Sequence, residues 1–259
     1  MTAVALPMTA TGASPALALF RREPIFAAGA LVLLALAAPM LVAFALEQRT
    51  LLGENLWIKP LKFALALATY LATLAWYAGF LPPGTTAARW YRVYAGAVLV
   101  AVAGEMAWIG GAAMHGVPSH FNIHSPAMAA AYQLMGVFAV FLTTAAPVYG
   151  ILILRDRRSR LDAAFRLSLG VGLILTFALT VAAAGAMAQR LTHSVGEGDL
   201  RVAHFFATHA MHAVPLAGFL AGRLLPVAAA RACVAAFALL YTGFVAWTFL
   251  RAWSGHALL

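Results

Sequence analysis

The chain has 259 residues, of which 64% are hydrophobic and only 10% are charged. A water-soluble domain carries roughly a quarter charged residues, so this composition excludes a soluble globular protein and points to a polytopic membrane protein. The formal charge of +9 is then a matter of arginines flanking helices and setting their orientation, not a nucleic-acid footprint. Cys233 is the one cysteine, which excludes an intramolecular disulfide and a cysteine-based metal cluster.

Residues 1–20 carry no charge and have a weak pattern, and read as a loose N-terminal tail. Residues 21–259 read as a single all-α domain of seven transmembrane helices. Arg21 and Arg22 precede an apolar run from Ile25 to Leu46, about 22 residues and long enough for a ~30 Å hydrocarbon core. Basic residues ahead of such a run, with Ala43-Phe44-Ala45 at its end, also fit a cleaved signal peptide, for which the run is long. The second span is Pro60 to Leu81, entered through Trp57 and Lys59 and ended by Pro82-Pro83-Gly84. The third, about Val93 to Ala113, contains Glu105. A loop without Lys or Arg follows, His115 to Pro126. The fourth span covers about Met128 to Leu154, the fifth Leu167 to Met187, the sixth about Val202 to Leu220, and the seventh about Val227 to Leu250.

Counting basic residues orients these spans. With the arginine-rich loop 155–166 inside, the inner segments hold Arg21, Arg22, Arg89, Arg92, Arg155, Arg157, Arg158, Arg160, Arg166, Arg223 and Arg231. Arg49, Lys59, Lys62, Arg190, Arg201 and Arg251 stay outside. The bias predicts N-terminus in and C-terminus out. The chemistry then sorts to the outer side, where all eight histidines fall in loops, in the tail or in the outer half of the sixth span. Any active site is expected to open to that face.

Glu105 is the one acidic residue inside a span. An ionised, unpaired carboxylate there costs several kcal/mol, so it is paired, protonated or metal-bound. At ~1.5 Å per residue it stops roughly 11 Å short of the outer end of its helix, with Gln133 about 9 Å down the fourth helix and His209 roughly 10 Å down the sixth. A carboxylate, an amide and an imidazole are thus expected in one layer. Pro215, one turn below His212, is expected to kink the sixth helix.

His204, His209 and His212 are candidate metal ligands together with Glu105, because neutral imidazole suits zinc and iron. Their spacings of five and three are not the four of the metalloprotease helix motif. The alternative is that each hydrogen-bonds a helix neighbour. Glu105, His120 and Lys59 are the candidate catalytic residues. Lys62, Asn55, Asn122, Gln133 and Arg201 are candidate substrate contacts, with Lys59 and Lys62 either clamping an anionic head group or snorkelling to the interface. Ser119-His120-Phe121-Asn122 reads either as a lid or as an ordinary polar loop. Asp199 reads as a cap of the sixth helix, and Ala182 to Gly185 as a site of close helix packing.

Three stretches, Asn55-Leu56-Trp57-Ile58-Lys59-Pro60-Leu61-Lys62-Phe63, Ser119-His120-Phe121-Asn122 and Gly198-Asp199-Leu200-Arg201-Val202-Ala203-His204-Phe205, resemble segments of an uncharacterised family of bacterial multi-span membrane proteins. The resemblance covers about residues 50–220. It implies a bacterial inner membrane protein and carries no activity. Retinal-binding rhodopsins are excluded, because the seventh span has no lysine for a Schiff base. The alkaline-ceramidase and adiponectin-receptor superfamily is similar in helix count and in placing zinc-binding histidines on a late helix, but here the histidines are not four apart.

These features define the expected function as a metal-dependent membrane enzyme holding zinc or non-haem iron and acting on a lipid or small amphiphile. One alternative is a b-type haem protein; with deep histidines only on the sixth span, its axial pair needs His120, His124 or His193 to dip in from a loop. Others are a proton-coupled transporter and a structural membrane subunit. The partners expected are membrane lipid and an amphiphilic substrate, with no nucleic acid; the oligomeric state is left open by the sequence.

Overall fold

A computed structural model of the chain describes residues 15–258. All its long elements are helices, and six of them are long and apolar enough to cross a membrane, or seven if one broken helix pair counts as a span. The chain divides into two compact units, where the sequence reads as one domain. Within the described residues the N-terminal unit comprises 15–79 and 83–145, the C-terminal unit 80–82 and 146–258.

The N-terminal unit begins with α1 (Pro15–Arg22). Residues 15–20, expected in a loose tail, are therefore helical; residues 1–14 lie outside the described residues. Glu23 caps α2 (Pro24–Leu46) by accepting from the Phe26 amide, and Pro24 occupies the first turn, where no hydrogen bond is lost. A two-residue hairpin, β1 (Thr50–Leu51) and β2 (Glu54–Asn55), leads into α3 (Ile58–Tyr77). Helix α4 (Arg89–His115) follows, and Gly116, at φ 68°, ends it with the paired backbone bonds of a Schellman turn. Ser125 caps α5 (Pro126–Thr143), which runs on through Thr144 to α6 (Ala145–Arg155).

Small residues let these helices approach. Gly29 of α2 faces Leu71 and Leu99, and the buried face of α3 is Ala64, Ala68, Leu71, Leu74 and Ala75. The buried stripe of α4 is Tyr91, Ala95, Val98, Ala101, Val102, Glu105, Met106, Ile109 and Ala112. Glu105 thus sits in the middle of an apolar, helix-facing stripe.

In the C-terminal unit Asp162 caps α7 (Ala163–Arg190) through the Ala164 and Phe165 amides. A second hairpin, β3 (Ser194–Val195) and β4 (Gly198–Asp199), leads to α8 (Leu200–Thr208), α9 (Ala210–Leu224) and α10 (Val227–Trp253). Asp199 caps α8 by accepting from the Arg201 amide. Within Ala182 to Gly185, Ala183 is buried, while a Cβ on Gly185 would meet nothing within 4 Å. Close approaches lie where Gly172 of α7 meets Pro215 and the Ala210 carbonyl, and where Gly218 of α9 meets Ser168.

Helices α8 and α9 are the broken pair, bent by 46°. The break falls at His209, not at Pro215, through which α9 continues. At the break the Phe205 carbonyl accepts from the Thr208 hydroxyl at 2.8 Å and lies 2.8 Å from His209 Nδ1. The Phe206 carbonyl takes the Tyr241 hydroxyl at 2.6 Å. Side chains thus compete for carbonyls that a continuous helix gives to its own amides.

Candidate functional site

The N-terminal unit gathers Lys59, Glu105 and His120. Lys59 lies in the first turn of α3 and Glu105 on the buried stripe of α4, while His120 belongs to the segment 116–125 between α4 and α5. That segment folds inward over the helix ends. Trp108, within α4, donates from Nε1 to the Ser119 carbonyl at 2.6 Å. Ser119 and Asn122 are each 4% exposed, and the Asn122 amide donates to the Pro118 carbonyl at 3.1 Å. Phe121 takes a positive φ of 60°, which a bulky residue adopts only when its surroundings impose it. Ser119 and Asn122 are thus packed inward, while the neighbouring Ile123 and His124 are exposed.

Lys59 Nζ lies 3.2 Å from His120 Nδ1, and Ser119 Oγ lies 3.1 Å from the same nitrogen. An ammonium has no lone pair to offer, so it donates and Nδ1 accepts. The ring proton is therefore on Nε2. Burial, and then the neighbouring Lys59 charge, push the His120 imidazole down to about 3. His120 is accordingly neutral near pH 7, a lone-pair acceptor toward Lys59 and an N–H donor on its other side. The rings of Phe63, Phe121 and Tyr132 surround it, with centroids 5.7, 6.3 and 6.3 Å away.

Glu105 is 3% exposed. Its Oε1 is fully buried without a hydrogen-bond partner, and the Lys59 charge acts on the carboxyl group. Asn122 Oδ1 is likewise buried and unpartnered. The site therefore holds one cation, one carboxyl group, one neutral imidazole and an amide oxygen, two of them with unused acceptor atoms. Such a set can bind an anion at Lys59 and exchange a proton at Glu105.

Of the other residues expected at a site, Asn55 and Arg201 are engaged by neighbours, and Gln133 and Lys62 are exposed. The Asn55 amide donates to the carbonyls of Glu47 and Phe44, at 2.8 and 3.2 Å, and its oxygen accepts from the Trp57 amide at 2.9 Å. It ties the end of α2 to the start of α3, with its amide nitrogen given to backbone carbonyls. Gln133 is exposed and shares no buried layer with Glu105. Arg201 is bound to Asp199, with its Nη2 and Nε 2.7 and 2.9 Å from Oδ2. Lys62 is exposed, one turn beyond Lys59.

The histidines of α8 and α9 belong to the C-terminal unit. His209 Nδ1 is engaged by the Phe205 carbonyl, and its ring stacks on Phe205 at 4.1 Å. The ring centroids of His209 and His212 are 5.4 Å apart. Among the described residues no three His, Cys, Asp or Glu side chains come together as a metal site. His204, His209, His212 and Glu105 are therefore not gathered as one ligand set.

Sequence reasoning missed Trp108, Phe63 and Tyr132 as the residues that hold His120 and its loop. The signal for Trp108 was available: it lies one turn after Glu105 on the same helix face. Comparison of the chain with family models, with curated proteins and with solved structures gives no match.

Proposed function

We propose that the chain is an enzyme of the bacterial inner membrane, N-terminus in and C-terminus out, performing acid–base chemistry on an anionic amphiphile. Its site is Lys59, His120 and Glu105, and the site opens to the outer face. The observation that carries this reading is the Lys59–His120 contact of 3.2 Å above a carboxyl group with an unpartnered buried oxygen. Lys59 pairs with the anionic head group, and His120 donates from Nε2. Lys62, one turn further along α3, steers the head group toward Lys59. Glu105 shares the Lys59 charge with the arriving anion. When the anion takes that charge, the carboxylate loses its counter-ion and binds a proton. Anion and proton therefore bind together, and protonated Glu105 is the general acid. A neutral His120 suits this site, because a second cation would repel Lys59.

A proton-coupled carrier is the second reading. It is favoured by the broken α8–α9 helix, since discontinuous membrane helices serve carriers as binding sites.

The test is titration of the purified protein in nanodiscs with decyl phosphate, in buffers of different ionisation enthalpy. Binding is expected to take up close to one proton. Lys59→Gln should weaken it at least ~10-fold, the scale of one charge-assisted hydrogen bond, while Glu105→Gln binds without proton uptake. Equal binding of decyl phosphate and decanol, unchanged by Lys59→Gln, would sink the reading. Proton-driven accumulation in proteoliposomes would select the carrier.

A further inference from the structure

The N-terminal unit holds a second feature, far from Lys59. An open groove of about 430 Å³ runs between α1, α2 and α3, lined by Ala18, Leu19, Leu34, Ala68, Ala72 and Trp76, with Thr69, Thr73 and Arg22. The volume falls within the ~300–1,000 Å³ of small-molecule sites. Along α3 the groove residue Trp76 is 17 positions beyond Lys59, about 26 Å at helical rise. The two features are separate sites.

The walls of the groove behave as hydrocarbon. Thr69 donates its hydroxyl to the Leu65 carbonyl at 2.9 Å, and Thr73 donates to the Thr69 carbonyl at 2.7 Å. Both threonines therefore turn their donors onto their own helix. Arg22 is the one charged residue of the lining, and it stands just before the membrane helix α2. Its side chain is laid against Gly79: a Cβ there would lie 3.2, 3.3 and 3.4 Å from Arg22 Cδ, Nε and Cζ. Glycine at that position lets the guanidinium stem lie flat along the end of the helix. The neighbouring carboxylate does not compete for the head of a ligand, because Glu23 is 1% exposed and caps α2.

We infer that this groove binds one acyl chain of an anionic membrane phospholipid, with the lipid phosphate on Arg22. The groove lies on helices that cross the bilayer, so lipid is its solvent. A single cation in an otherwise uncharged lining selects an amphiphile with a negative head over a zwitterionic one. The inference is independent of the chemistry at Lys59.

Native mass spectrometry of the detergent-purified full chain tests it, with phosphatidylglycerol and phosphatidylcholine added in turn. The wild type should retain phosphatidylglycerol in preference. Arg22→Gln should lower that occupancy about fivefold, the effect of one basic residue on anionic lipid, with phosphatidylcholine unchanged. Arg21→Gln removes the same charge from an exposed neighbour outside the lining, and should leave the occupancy as it was. Ala72→Phe fills the slot and should displace both lipids, and Lys59→Gln should be without effect. Equal loss in Arg21→Gln and Arg22→Gln would reduce the groove to general surface charge and overturn the inference, as would full retention in a folded Ala72→Phe protein. Should Ala72→Phe fail to elute as the wild type does, the contrast between the two arginine variants decides alone.

Discussion

His120 sits in an environment far from that of its free side chain. Its imidazole is pushed from 6.5 down to about 3 by burial and by Lys59. Between those two pH values the unfolded chain binds a proton that the folded one refuses. Stability therefore rises with pH across this window, is complete above about 6.5, and is lost as pH falls toward 3. Thermal unfolding in detergent should show that slope, and His120→Gln should flatten it. Glu47 acts in the same direction at lower pH. The Arg49 side chain holds its carboxylate near pH 2 at the end of α2, so that exposed pair is lost only in stronger acid. At the site itself Glu105→Gln keeps the shape of the side chain and removes its proton. It is expected to abolish turnover while leaving anion binding within a few-fold, read by the nanodisc titration. Loss of binding equal to that of Lys59→Gln would show Glu105 to be structural.

At the scale of elements, two glycines and one hydroxyl carry the C-terminal unit. A methyl group on Gly172 or Gly218 meets Pro215 or Ser168 where α7 and α9 are closest. Overpacking of this kind costs about 1–3 kcal/mol, so Gly218→Ala should lower the unfolding midpoint. Gly185→Ala, with open space around it, should leave it unchanged or raise it, since glycine within a helix costs about 0.5–1 kcal/mol relative to alanine. The break at His209 has its own partner on α10, the Tyr241 hydroxyl on the Phe206 carbonyl. Tyr241→Phe removes one of the two donors of that carbonyl and leaves the His209 amide, at a cost of about 0.5–1.5 kcal/mol. Denaturation of the three variants in the same detergent measures these effects, and hydrogen exchange at Ala210 should quicken in Tyr241→Phe alone.

At the scale of the whole molecule, the exposed large side chains are those of a protein solvated by lipid. Leu31, Val32, Leu41, Val100, Val137, Leu239, Leu240 and Leu250 all lie outward on helices long enough to span. The arginines of the loop 155–166 set the proposed orientation through the positive-inside bias. Single cysteines placed at 124 and at 158, in a Cys233→Ser background, report it. A membrane-impermeant maleimide applied to intact spheroplasts should label position 124 and spare 158. The reverse pattern would invert the proposed topology and move the Lys59 site to the inner face.

Composition and apolar run length determined the class of the molecule, because a bilayer admits helices of a fixed length and few charges. They placed each span within a few residues, since Pro24, Pro126, Gly116 and Asp162 act locally through caps and turns. They also singled out Lys59, Glu105 and His120, because charge or imidazole near hydrocarbon is costly wherever it stands. Depth along a helix was legible, and facing was not. Gln133 and His209 match Glu105 in computed depth, but Gln133 is exposed and His209 belongs to the other unit. Asn55 looked like a ligand contact until its three hydrogen bonds to the backbone were seen. The inward fold of residues 116–125 rests on Trp108, Phe63 and Tyr132, which come from three helices, and no local pattern announces a contact made across helices. The same holds for the break at His209. Pro215 is the visible breaker in the sequence, but the tertiary structure bends the chain where side chains of two helices compete for the carbonyls of Phe205 and Phe206.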